Sequence, residues 1–463
     1  MHVTQLKKRF ELFLNFYAGW FVVTLLIGVP AVRWFQINSA DLALSSGYSF
    51  FSMVGRIAGL VGIVLYAVNF ILSTRVKFFE HLFGGLNRLY IAHHLIGAFA
   101  LVALLVHPLA LAFRYVPDQM RTAAEFLLPD ISAPIDWAVN YGFVAFSGMV
   151  FLLVLTFFVK LPYELWLMTH RFLGLAFLFG GLHAVMIKSD ISDDNIMRWY
   201  ILGITVLGIV AFIYRTLLPR IFVRKVQYRV VRLEKPADKV VKIVLEPMNR
   251  LINYKPGQFV FINFKQSGLS PAAHPFSISS APVNNSLSAG GNELEITVKA
   301  LGDFTSELPK LKIGTVADIE GAFGRFTNTR YTEPKQVWIA GGIGVTPFLS
   351  MAKGLTKQAG AHKNDVYEIH MFYVVRSASE LIEHHLLQGL EALEGLKFHY
   401  HIYVGDEQKR LISADYINDV VSGLVDTDIF ICGPPPMMTG LKHQFIDFKV
   451  KKRNIHTEEF SIS

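Results

Sequence analysis

The chain has 463 residues, of which 52% are hydrophobic and only 17% charged, with a mean hydropathy of +0.39 and a formal net charge of +8. This is too apolar for an ordinary soluble protein and too charged for a wholly membranous one, so a chain in two parts is expected. The basic surplus reads as the flanks of membrane segments rather than as a nucleic-acid surface. The single cysteine, Cys432, excludes an intramolecular disulfide and any cysteine-based zinc or iron–sulfur site within the chain.

Six runs of about 20 apolar residues, the length that crosses ~30 Å of hydrocarbon, are predicted as helices at 10–29, 48–72, 88–112, 137–159, 166–187 and 197–218. The stretch "GVPAVRW" after the first run lacks a small-x-small cleavage pattern, so that run is expected to stay in the protein. Basic residues gather on one side of the spans: Lys7, Lys8 and Arg9, then Arg75, Lys77 and Arg88, then Lys160 and Arg171, then Arg215, Arg220, Arg224 and Lys225. The opposite loops hold Asp41, Asp118, Glu125, Asp130, Asp136, Asp190, Asp193 and Asp194. Positive charge stays inside, which predicts cytoplasmic N- and C-termini in a multi-pass protein of the cell membrane, bacterial inner membrane by expectation.

The third run, "RLYIAHHLIGAFALVALLVHPLALAF", carries His93, His94 and His107, and the fifth, "MTHRFLGLAFLFGGLHAV", carries His170 and His183. Ionisable groups in a membrane segment are costly and mark function by default. The two spans run in the same direction, and spacings of 14 and 13 residues separate the histidines by about 20 Å along each helix. Two pairs at matching depths would clamp two b-type haems stacked across the membrane, with imidazole on both axial positions of each iron. "HHLIG" and "HRFLG" share the form His-x-x-x-Gly, which equates His93 with His170; His94 is the fallback. The 13-residue spacing does not return to one helix face and needs a local distortion or different side-chain angles, for which Gly174, Gly180 and Gly181 leave room. The competing reading is bundle histidines bonded to neighbouring helices, or stations in a proton or metal transporter. Arg56, inside the second span, needs an anion, either a haem propionate or an ion-pair carboxylate. Phe177, between the two histidine levels, lies either between the haems or in the helix core.

After Pro219 the apolar runs stop. "VQYRVVRL", "VVKIVLEP", "GQFVFINF", "HPFSISS" and "LEITVKAL" predict the strands of a small antiparallel barrel. From Lys335, "KQVWIAGG", "YEIHMFYVV", "FHYHIYV" and "TDIFICGPPPMM" alternate with helical stretches, which predicts a parallel sheet flanked by helices. In "WIAGGIGVTPFLSM", Gly341, Gly342 and Gly344 let backbone approach phosphate at a helix N-terminus. Pro347 stands where a third glycine of G-x-G-x-x-G would fall.

"HPFSISS" resembles the flavin-binding signature of the ferredoxin–NADP reductase family. That resemblance implies that Phe276 packs on the flavin and Ser277 bonds near its reactive nitrogen. His274, next to Pro275, replaces the arginine common in soluble members. "VKALGDFTSEL" resembles the pyrophosphate loop, with Lys299, Gly302 and Thr305 near phosphate. Thr346 resembles the threonine on the nicotinamide side, and "ICGPPPMM" places Cys432 and Gly433 beside the nicotinamide, the plain alternative for Cys432 being a buried small residue. Arg376 either binds a 2′-phosphate, favouring NADPH over NADH, or is solvated. In "IHTEEFSIS", Phe460 matches the aromatic that covers the flavin, with a buried strand phenylalanine as the alternative.

Together these motifs resemble the NADPH oxidase/ferric reductase superfamily, in its compact prokaryotic form, from about residue 48 to 460. The implied architecture is a six-helix transmembrane haem domain (1–220), an antiparallel β-barrel FAD domain (221–332) and an α/β NAD(P)-binding domain (333–463). The implied activity moves electrons from cytoplasmic NAD(P)H through FAD and two haems to an outer acceptor. That acceptor is oxygen, giving superoxide, or a ferric chelate. A partner protein outside the membrane is a further possible acceptor but is not required.

Overall fold

The computed structural model describes residues 2–38, 44–282, 292–331, 333–358 and 368–458, and the chain divides into two compact units, Met1–Val223 and Arg224–Ser463. Six helical stretches in the first unit are long and apolar enough to cross a membrane. They are α1 (His2–Ile37), α2 (Gly47–Ser73), α3 (Leu86–Phe113), α4 (Trp137–Phe158), a fifth span formed by α5 (Tyr163–Arg171) and α6 (Leu173–Met186), and α7 (Asn195–Phe212), continued by a π-helical turn Ile213–Leu217. Helix starts are set by polar caps that satisfy orphan N–H groups. Ser46 accepts from Ser49 N, Asp136 from Ala138 N, and Asp194 from Met197 N. Large apolar side chains such as Phe99, Phe151, Phe157 and Trp199 face outward, as lipid contact allows.

Lipid tails give helices little hydrophobic reason to associate, so close approach at small residues does the packing. A Cβ on Gly62 would lie 2.7 Å from Leu104 Cδ2, one on Gly208 2.8 Å from Phe177, and one on Gly174 2.1 Å from Phe212. Phe177 is 1% exposed, with its ring 5.1 Å from Tyr66 and 5.2 Å from Phe70. Of the two readings of Phe177, the packed helix core is the one observed. The distortion expected in the fifth span falls at Phe172, between α5 and α6. There Phe172 N donates to Thr169 O and Leu175 N to Phe172 O, i→i+3 bonds that wind the chain more tightly. Gly174 and Gly181 instead admit Phe212 and Thr205.

The second unit begins with six antiparallel strands: β1 (Val226–Ala237), β2 (Val240–Pro247), β3 (Phe259–Phe264), β4 (His274–Ser277), β5 (Leu294–Lys299) and β6 (Val316–Phe323). Their order is β4-β3-β6-β1-β2-β5, and the sheet curls until its two edges meet at the bridge Ile278–Ile296. Inside lie Val230, Ile243, Val260, Ile262, Ile296 and Ile319, all fully buried. A parallel sheet follows, in the order β11-β10-β7-β8-β9: β7 (Lys335–Gly341), β8 (Glu368–Val375), β9 (Lys397–Val404), β10 (Thr427–Cys432) and β11 (Ile455–Glu458). Helices α8 (Thr346–Gln358) and α9 (Pro435–Asp447) follow β7 and β10. Because β8 and β10 flank β7 on opposite sides, the strand order reverses at β7. Ligands of such sheets sit at the strands' carboxyl ends beside that reversal.

Barrel and parallel sheet are locked together. Ser350 Oγ on α8 donates to Ser280 O at 2.6 Å. Lys353 Nζ lies 2.7 Å from Glu295 and 2.8 Å from Glu383, which Lys242 also approaches at 3.1 Å. Gly257 is left-handed, at φ +89°, and a Cβ there would stand 2.1 Å from Phe326 O, so this turn admits glycine alone.

Candidate functional site

Helix α3 packs along α2, and α4 along α6, but α3 and the fifth span, with His170 on α5 and His183 on α6, leave a slot between them. Histidine rings reach across it at two levels. His93 and His170 have centroids 6.3 Å apart, and so have His107 and His183. An imidazole nitrogen sits about 2 Å from a bound metal and its ring centre about 1 Å further back, so two trans ligands hold their centroids about 6 Å apart. Both pairs have that spacing. His94 is exposed, whereas His93 turns inward.

The rings are oriented from behind. His107 Nδ1–H donates to Gly55 O at 2.7 Å, His183 Nδ1–H to Ala138 O at 2.7 Å, and His93 Nδ1–H to Asn69 O at 3.2 Å. A ligand histidine whose other nitrogen is tied to a carbonyl presents Nε2 to the metal. At the His107/His183 level the support is built the same way twice. Four residues beyond each accepting carbonyl stands a glycine, Gly59 or Gly142, whose Cβ would come within 2.6 or 2.7 Å of the histidine Nδ1. Sequence reasoning missed both glycines, since nothing in their local pattern separates them from ordinary helix-packing glycines. His170 stacks on Trp166 at 5.3 Å, and its Nδ1 is buried with no partner among the described residues.

A cavity of about 850 Å³ opens at the second level, lined by His107, His183, Arg56, Arg114 and Lys188 among others. The anion facing Arg56 is Asp190, at 2.9 Å from Nη1; Trp34 Nε1 donates to the other oxygen of the same carboxylate at 3.1 Å. Arg56 thus has a carboxylate of this chain beside it. Arg114, not singled out in the sequence, packs its guanidinium against Tyr48, Tyr115 and Phe126. Its Nε is buried without a partner among the described residues, which suits the acidic edge of a porphyrin. The histidine spacing, the glycine cradles and this orphan donor fit a pair of haems.

In the second unit, β4 pairs with β3 along one side. Alternation along the strand sends His274 and Phe276 to one face, where both lie beside Phe304, with ring centroids 3.7 and 6.3 Å away. Burial lowers the His274 pKa. Ser277 and Pro275 take the other face. Ser277 Oγ is buried with no hydrogen-bond partner among the described residues, a state that costs about 1–3 kcal/mol unless a ligand supplies one. A flavin ring nitrogen suits that orphan hydroxyl. Ser277→Ala is expected to retain FAD while slowing anaerobic flavin reduction by NADPH about 10- to 100-fold. Stopped-flow absorbance measures this, and an unchanged rate would place the hydroxyl away from the reacting nitrogen. In the loop after β5, Thr305 Oγ1 accepts from Leu301 N and Gly302 N at 2.9 and 3.0 Å, and Lys299 faces Glu380 at 3.7 Å. These groups are held by the chain's own partners.

At the carboxyl ends of β7 and β10 the glycines divide by purpose. A Cβ on Gly344 would stand 2.3 Å from Cys432 O, and those on Gly341 and Gly433 would meet Met437 at 2.7 Å. These three exist so that the β7 and β10 turns can touch. Gly342 alone among the four is left-handed, at φ +53°, with open space where a Cβ would be. Thr346 is 2% exposed, and its hydroxyl donates to Ile343 O at 3.2 Å. Cys432 is fully buried; burial and the Glu458 carboxylate push its thiol well above the ordinary range, so it is a neutral thiol. Glu458, opposite Cys432 in the β10–β11 register, is a buried carboxylate that sequence reasoning passed over; its signal was an acidic residue ending a strand beside the cysteine strand. Arg376 is 83% exposed on its side chain, with Nε 3.5 Å from Asp406. Phe460 lies outside the described residues.

A membrane bundle carrying paired histidines, joined to a curled sheet and a nucleotide-type parallel sheet, defines a multi-pass membrane flavoprotein class. Residues 58–181 match the family described as "Ferric reductase like transmembrane component". Residues 223–339 match an FAD-binding domain and 338–443 an oxidoreductase NAD-binding domain. The chain has the domain architecture of the NADPH oxidase/ferric reductase superfamily. It is 26% identical over 232 residues to the 2-halobenzoate 1,2-dioxygenase electron transfer component of Burkholderia cepacia, covering 47% of this chain and 62% of that protein. It is 27% identical over 256 residues to a flavohemoprotein of Bordetella pertussis, covering 50% and 60%. The chain thus spans about three-fifths of the length of these curated relatives. A flavohemoglobin structure from Malassezia yamatoensis aligns with a TM-score of 0.44 at 20% identity, covering 75% of this chain and 93% of that one.

Proposed function

We propose that this protein oxidises cytoplasmic NAD(P)H and passes the electrons through FAD and two b-type haems to an acceptor on the outer face of the membrane, with oxygen as acceptor and superoxide as product. The observation that carries this reading is the pair of histidine couples at equal 6.3 Å spacing across one slot. When bound, FAD takes up a hydride and releases electrons singly, and bis-imidazole iron relays one electron at a time. The chain's own part is positioning. Gly55, Asn69 and Ala138 carbonyls fix the imidazoles, so little rearrangement is needed when charge arrives. Ser277 would bond the flavin ring, with Gly342 beside the nucleotide phosphates. NADPH rather than NADH is proposed from Arg376 at the end of β8.

Reduction of a ferric chelate is the second reading, favoured by the size of the cavity, about 850 Å³, beside His107 and His183. The test is anaerobic reduction of the purified protein by NADPH, and separately by NADH, followed by addition of oxygen or of a ferric chelate while haem reoxidation is timed. Fast reoxidation by oxygen, with a reporter signal abolished by superoxide dismutase, is expected. Fast reoxidation by the chelate alone would replace oxygen with iron as the acceptor. Absence of b-type haem bands would end the electron-transfer reading.

A further inference from the structure

Beyond the electron path, the parallel sheet holds a cluster of imidazoles with no part in it. The strands read "EIHMFYVV" and "KFHYHIYV". Alternation puts Glu368 and His370 of β8 on one face, with His399 and His401 of β9 on the same face. The parallel register sets His370 directly opposite His399, and Phe372 opposite His401. This is the amino-terminal part of both strands, away from the carboxyl ends where Gly342 and Arg376 stand.

We propose that Glu368, His370 and His399 form a binding site for a divalent transition-metal ion of the zinc type, with His401 orienting His370 from behind. One ligand atom from each of the three residues lies within 4.8 Å of the others. His370 Nε2 and Glu368 Oε1 are 2.9 Å apart, close to the separation of about 3.3 Å that two ligands keep at about 2.0 Å from one tetrahedral ion. The remaining His370 nitrogen, Nδ1, is 3.3 Å from His401 Nε2. That is the arrangement of a ligand histidine whose second nitrogen is tied to a supporting partner. His401 is in turn stacked on Phe372 at 4.7 Å, which anchors the support in the apolar sheet face. Two imidazoles and one carboxylate are a zinc ligand set that leaves a fourth position for water. The same donors accept Co²⁺, Ni²⁺ and Cu²⁺, whereas a calcium or magnesium site would be built of oxygen. The nearby Lys335 does not occupy the cluster, because its Nζ donates to Val421 O at 3.0 Å. Glu391 likewise accepts from Tyr400 N at 2.8 Å.

The site joins β8 to the edge strand β9, so an ion there clips the sheet edge and stabilises the folded state by mass action. The test uses the full-length protein in detergent, loaded with FAD and stripped of loose metal by chelator. Zn²⁺ binding is followed by calorimetry, and Co²⁺ binding by its visible d–d absorption. One ion per chain is expected to bind with the intense bands of a four-coordinate site. Its affinity should fall at least about 100-fold in His399→Asn, because even supporting partners cost 10- to 100-fold. His399 and His443 are both exposed, so neither substitution threatens the core, and His443→Asn is the matched control expected to bind as the parent does. NADPH-driven flavin reduction, measured on the same samples, is expected to be unchanged in both variants. Equal uptake by the parent and His399→Asn would overturn the proposal, as would Co²⁺ spectra of octahedral intensity in both. Neither result would touch the electron-transfer reading.

Discussion

Leucine in place of His107 or His183 is expected to remove one of two haems and leave the other, so that haem per flavin falls by about half. Turnover to an outer acceptor should fall at least about 100-fold, since an electron-transfer path with one carrier missing has no substitute. The physical reason is that, on the proposed reading, each haem would be held by a pair of imidazoles whose rings stand 6.3 Å apart, and one remaining imidazole would not hold it. Leucine at His93 or His170 should remove the other haem, while His94→Leu should retain both, because the ring that stands 6.3 Å from His170 is that of His93. The glycine cradle gives a subtler version of the same experiment. Gly142→Ala would set a methyl 2.7 Å from His183 Nδ1, turning the ring off its carbonyl without removing the ligand. Reduced-minus-oxidised spectra, with pyridine haemochrome quantification, read all of these. Retention of two haems in His93→Leu would refute the assignment of the doublet.

Gly344→Ala is expected to damage the parallel-sheet domain severely. Its Cβ would stand 2.3 Å from Cys432 O, 2.6 Å from Cys432 C and 2.7 Å from Gly433 N. All three are backbone atoms at the end of a buried strand, so relief requires moving β10 itself. Overpacking of this kind costs about 3 kcal/mol or more. Thermal unfolding followed by flavin release should show a clear drop in midpoint, with loss of NADP⁺ binding. Gly342→Ala is the informative contrast: its Cβ meets nothing within 4 Å, though φ is +53°, so it should cost only about 1–2 kcal/mol. Equal damage from both would mean that strain, not the contact between turns, sets the requirement.

The particular elements show how far the sequence could be read. All six spans were visible as apolar runs because the bilayer imposes a length and a composition that little else imitates. The strand–helix alternation after Lys335 announced the parallel sheet for a similar reason, since each buried strand must be apolar along its length. Matching the His-x-x-x-Gly strings singled out His93 from its neighbour, and its ring stands 6.3 Å from that of His170. What could not be read was reciprocity between distant segments. That Arg56 meets Asp190, 134 positions away, depends on how α2 and the loop before α7 come together. Gly59 and Gly142 look like packing glycines until His107 and His183 are seen against them.

The nucleotide turn carries the same lesson more sharply. Gly341, Gly342 and Gly344 read alike as residues that let backbone approach phosphate, yet Gly341 and Gly344 serve contact with the β10 turn and only Gly342 faces open space. Chain-local chemistry thus determined the class of each segment: membrane span, barrel strand, nucleotide strand, candidate ligand. Partners were decided by the tertiary structure alone, because a hydrogen bond or an excluded methyl belongs to two segments at once, and a linear string holds only one of them.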